Sequence, residues 1–106
     1  MINVEVFRDF TGEIRGFTIE NHGETHVCAA VSMLAINTVN SLEAFTHDAL
    51  TCQYNAAEGG YLSFSLTKEG FRSEGAGALV DAMFLGLKST RESHPEEISI
   101  KETVRK

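Results

Sequence analysis

Apolar and polar positions alternate from the first residues. Ile2, Val4 and Val6 fall on one side and Asn3, Glu5 and Phe7 on the other, the period of two of a strand with one covered face. Asp9 to Gly12 carries turn chemistry, so a second strand from about Glu13 to Asn21 is expected to fold back as a hairpin, with Ile14 out of phase with Phe17 and Ile19. From about Val27 to Ala44 the period changes to that of a helix, marked by Val27, Val31, Leu34, Ala35, Thr38 and Leu42, and no proline or glycine interrupts it. Ser32, Asn37, Asn40 and Ser41 form its less apolar side, so the helix is expected to be buried over most of its surface. Alternation returns over Leu50 to Ala56 and again over Tyr61 to Thr67, around a turn at Glu58-Gly59-Gly60. Ser73-Glu74 then opens a second helix with the stripe Leu79, Val80, Met83, Phe84 and Leu87, ending before Pro95. A last strand, about Ile98 to Val104, is expected to turn Ile98, Ile100 and Val104 inward.

The order β-β-α-β-β-α-β predicts an α+β two-layer sandwich, with both helices packed on one face of a mixed sheet. At 106 residues the chain is read as one domain, residues 1–106, without a linker or low-complexity segment; Arg105 and Lys106 are expected to fray. Nine basic residues against fifteen acidic ones give a net charge of −6, which argues against direct nucleic-acid binding through phosphates and suits a small molecule or a basic protein partner. MINVEVFRDF does not read as a signal peptide, and no apolar run is expected to approach the ~20 residues of a membrane span. Two cysteines without a CxxC pair suit a cytoplasmic protein with reduced thiols.

Chemistry concentrates in Asn21-His22-Gly23-Glu24-Thr25-His26-Val27-Cys28-Ala29-Ala30, which joins a strand to the first helix, with Thr25 the better candidate for its cap. Cys28 falls in the first turn, where unpaired N–H groups and the helix dipole favour an anion, so a thiolate is stabilised there. His22 at the strand end could act as its base, and His26 is a second candidate. The plain alternative is that Cys28 is a small core residue. A zinc site built from His22, His26 and Cys28, with Glu24, His47 or water as the fourth ligand, has a spacing unlike the usual zinc patterns and ranks below the thiol reading. Cys52 reads as a core residue in mid-strand, and His47 and His94 as surface residues. Ser73 to Gly77 lacks the lysine of a phosphate-binding loop.

Val27-Cys28-Ala29-Ala30-Val31-Ser32, followed by Leu34-Ala35-Ile36-Asn37-Thr38-Val39-Asn40-Ser41-Leu42-Glu43 and by Gly59-Gly60-Tyr61-Leu62, resembles the ribosomal-processing cysteine proteases (Prp) over nearly the whole chain. The resemblance implies a peptidase with a Cys/His dyad that needs no cofactor. Cys28 would be the nucleophile and His22 the general base and acid. The implied substrate is the N-terminal extension of a large-subunit ribosomal protein precursor, the one numbered twenty-seven. A homodimer and a loop that orders on peptide are implied too. Ala29, Ser32 and Glu24 are the residues expected to support the site. The chain departs from the family pattern at three points: Asn21 replaces a glycine, the interval from His22 to Cys28 is about half as long, and Thr25 stands where an aspartate is common, with Glu24 the nearby acid. A non-catalytic ribosome-associated module of the same fold is the alternative.

Overall fold

The computed structural model describes residues 1–21, 26–55, 60–68 and 71–105. The strands are β1 (Ile2–Arg8), β2 (Ile14–Glu20), β3 (Leu50–Asn55), β4 (Tyr61–Leu66) and β5 (Ile98–Val104), and the helices α1 (His26–Phe45) and α2 (Glu74–Ser93). They follow one another as β-β-α-β-β-α-β and build a five-stranded sheet in the order β3-β4-β2-β1-β5. β1 runs parallel to β5, and every other neighbouring pair is antiparallel, so the sheet is mixed.

The phase slip between Ile14 and Phe17 has a structural cause. Phe7 pairs with Gly16 but Arg8 pairs with Ile14, so Arg15 is an extra residue bulged out of β2. The bulge resets the alternation and lets Ile14, Phe17 and Ile19 all enter the core. Leu62, Phe64 and Leu66 of β4 join them, with the Phe17 and Phe64 rings 5.6 Å apart. Gly16 is required here, because a Cβ would sit 2.4 Å from the Phe64 carbonyl oxygen.

Both helices add to this one core. α1 contributes Val27, Cys28, Val31, Ala35, Val39 and Leu42, and α2 contributes Ala76, Val80, Met83, Phe84 and Leu87. By length and composition α1 is apolar enough to cross a bilayer, contrary to the expectation that no such run exists. Here it is a core helix of a two-layer sandwich. It is also less covered than expected, since Ala29, Ala30, Met33 and Ile36 are exposed along its outer side. α2 is capped by Ser73, whose hydroxyl accepts from the Ala76 N–H at 3.1 Å. Asp48, in the connection after α1, braces that cap by accepting from the Ser73 N–H at 2.9 Å and the Ser73 hydroxyl at 2.5 Å.

Three sequence expectations change. Cys52 is exposed, because β3 is an edge strand reaching beyond the helices' cover. Val104 is exposed too, at the far end of the opposite edge strand. Arg105 is tied down rather than frayed: its N–H donates to the Arg8 carbonyl at 2.8 Å, and its guanidinium lies 3.6 Å from the Phe7 ring centroid. The expected turn at Glu58-Gly59 and the Lys106 terminus lie outside the described residues.

Candidate functional site

β2 delivers the chain to the mouth of α1. Asn21, just beyond β2, has φ 63°, and its N–H donates to the carbonyl of Gly60, itself at φ 87°. Glycine reaches this left-handed region freely and asparagine tolerates it. Asn21 can therefore stand where the resembling family has glycine and still turn the chain away from the sheet.

Cys28 is the third residue of α1, among the N–H groups that lack an intrahelical partner. The macrodipole places positive charge there, and backbone donors at this position suit a thiolate or a developing oxyanion. The side chain itself is only 4% exposed and packs in the core with Val27 and Val31. Ala29 is exposed and Ser32 half-buried on the following turn. His22, Glu24 and the cap candidate Thr25 lie outside the described residues; among the described ones, the structure brings Cys28, Ala29 and Ser32 to one helix end.

His26, the first residue of α1, is exposed. His47 lies beyond the other end of this helix of 20 residues, ~28 Å of axis away, and cannot complete a zinc site at Cys28. Among the described residues no three histidine, cysteine, aspartate or glutamate side chains gather closely enough to hold a metal ion. Cys52 is the other thiol. Its partial burial and the Glu43 carboxylate hold its pKa above the ordinary value, which opposes thiolate formation there.

A feature hidden in the linear pattern adjoins the start of α1. α2 runs antiparallel to α1 and brings Thr90, Ser93 and His94 opposite His26, Val27 and Ala30 across a cleft of about 290 Å³. His94 Nδ1 lies 3.1 Å from Glu97 Oε2. Sequence spacing could not join His26 to His94, because only the packing of the two helices makes them neighbours.

The fold has close counterparts among solved structures. The protein SMU.848 from Streptococcus mutans superimposes with a TM-score of 0.89 at 28% identity, over 99% of this chain and 96% of that one. The ribosomal processing protease Prp of Staphylococcus aureus, in complex with a substrate peptide, gives 0.86 at 18% identity, over 97% and 100%. The same protease with a covalently linked product peptide gives 0.83 at 20% identity, with the same coverage. A search of the curated proteins found no match. The family model described as cysteine protease Prp matches residues 1–99, which takes in Cys28 and every element up to the start of β5. With that match spanning nearly the whole molecule, the chain belongs to the cysteine protease Prp family.

Proposed function

We propose that this protein is a cysteine endopeptidase that removes the N-terminal extension of a large-subunit ribosomal protein precursor, the one numbered twenty-seven, during ribosome assembly. The observation that carries the reading is the family match over residues 1–99 combined with a cysteine, Cys28, in the first turn of α1. The net charge of −6 complements a basic ribosomal substrate. The Staphylococcus aureus relative held with a covalently linked product peptide supports covalent catalysis.

In this mechanism the Cys28 thiolate attacks the scissile carbonyl carbon, and backbone N–H groups near Cys28 and Ala29 receive the oxyanion. His22, having taken the thiol proton, returns it to the leaving amine as the C–N bond breaks. Water then attacks the thioester, His22 takes its proton, and the acid product leaves with the Cys28 sulfur restored. Because Cys28 is 4% exposed, peptide binding must uncover it. Ser32 and Glu24 support the site, Glu24 by orienting the base in place of the family's aspartate. We further assign the protein to the cytoplasm, as a homodimer.

The burial of Cys28 favours one second reading, a non-catalytic ribosome-associated assembly module of the same fold. Incubation with the co-encoded precursor, followed by mass spectrometry, separates the two. Wild-type protein is expected to release the extension, while Cys28→Ala and His22→Ala release none and remain folded. Cleavage at the wild-type rate by Cys28→Ala would remove Cys28 from the mechanism. Binding without cleavage by the wild type would establish the assembly module.

A further inference from the structure

The end of the sheet opposite the start of α1 carries a second cleft, of about 530 Å³, which falls in the size range of small-molecule sites. It is formed by the end of β1, the β1–β2 turn, the end of β4 and the C-terminal Arg105. Six of its residues decide its chemistry: Phe7, Arg8, Asp9, Phe10, Arg15 and Arg105.

Three guanidinium groups meet one carboxylate there, in a protein whose net charge is −6. Arg8 is neutralised by Glu102 at 2.8 Å. Arg15 is held in place by the carbonyl oxygens of Leu66, Lys68 and Phe71, and among the described residues it makes no salt bridge, with Asp9 the nearby carboxylate that attracts it. Arg105 lies 3.6 Å from the Phe7 ring centroid and has no carboxylate partner among the described residues. Asp9 offsets little of this, because its carboxylate turns into its own loop and accepts from the Thr11 N–H, the Thr11 hydroxyl and the Glu13 N–H. Phe10 adds a large aromatic ring that is 74% exposed, an unfavourable place for so much apolar surface unless something covers it.

We propose that this cleft binds a planar aromatic anion, with the phosphate or carboxylate on Arg105 and Arg15 and the aromatic body against Phe10. A guanidinium presents its donors as a rigid fork that matches both acid groups. The acidic groups near the cleft do not forbid this, because Glu102 is paired with Arg8 at 2.8 Å and Glu13 with Arg72 at 2.9 Å. The site is independent of the peptidase reading.

Titration of the full-length protein with phenyl phosphate, followed by amide NMR, tests the assignment. Saturable shifts are expected at Phe10, Thr11 and Arg105, with benzoate binding at the same residues and inorganic phosphate about tenfold weaker for want of the ring. Arg105→Gln should weaken phenyl phosphate about tenfold, and Phe10→Ser should remove its advantage over inorganic phosphate. Cys28→Ala should bind it unchanged. Absence of saturable shifts up to ~10 mM, shifts confined to residues 26–32, equal binding by Arg105→Gln, or equal affinity for phenyl and inorganic phosphate would each overturn the proposal.

Discussion

At the scale of single residues, the same substitution has opposite consequences at two glycines. A Cβ at Gly16 would stand 2.4 Å from the Phe64 carbonyl oxygen, a backbone atom locked in the sheet. A Cβ at Gly86 would stand 2.8 Å from Leu34 Cδ2, the movable end of a side chain where α2 crosses α1. Gly16→Ala is therefore expected to destabilise by about 3 kcal/mol in chemical denaturation, as overpacking does. Gly86→Ala should stay within about 1 kcal/mol of wild type, since its gain in helix propensity offsets the adjustment of Leu34. Neither result was legible beforehand, because each depends on which atoms of a distant segment lie across from the glycine. Cys28 was legible as a helix-start residue from the run Val27 to Ala44. Its burial was not, because the sheet decides which side of the first turn is covered.

At the scale of elements, α2 begins where it does because Ser73 caps it and Asp48 holds Ser73 from another part of the chain. The cap was readable at Ser73-Glu74, while its brace was not, since Asp48 lies in an irregular connection. Ser73→Ala should cost about 1 kcal/mol. Burial pushes the Asp48 carboxyl up, but hydrogen bonds from the Ser73 hydroxyl, the Ser73 N–H and Thr46 outweigh it, and the pKa falls below 3.8. The Asp9 pKa is lowered in the same direction, first by the Thr11 hydroxyl. A carboxyl whose folded pKa lies below its unfolded value stabilises the fold above the unfolded value and loses that contribution as pH falls through the folded one. Urea midpoints measured down through pH 3.8 should therefore decline, and Asp48→Asn should show the smaller decline.

At the scale of the whole molecule, chemistry is divided between two ends. The start of α1 and the end of α2 share one end with Cys28, and the arginine cleft occupies the other. The outer side of α1, with Met33 and Ile36, and the Tyr54 ring on the edge strand β3 leave apolar surface exposed. This surface supports the proposed homodimer, for which light scattering at micromolar concentration should give twice the mass of the chain. A monomer at every concentration would refute it. The order of elements, and so the sandwich, was readable because periods of two and 3.6 are local properties of each segment. The strand order was not readable, and it is what exposed Cys52 and Val104, both assigned to the interior by alternation alone.

Local patterning by itself determined where the strands and helices run, that Cys28 opens a helix, and which family the chain resembles. These follow from side-chain periodicity and from a short contiguous motif. Tertiary structure alone decided that Cys28 is covered, that His94 and His26 line one cleft, and that Arg15 and Arg105 share a cleft with Phe10. Such neighbours come from helix crossing, sheet order and a β-bulge, which set contacts between residues far apart along the chain.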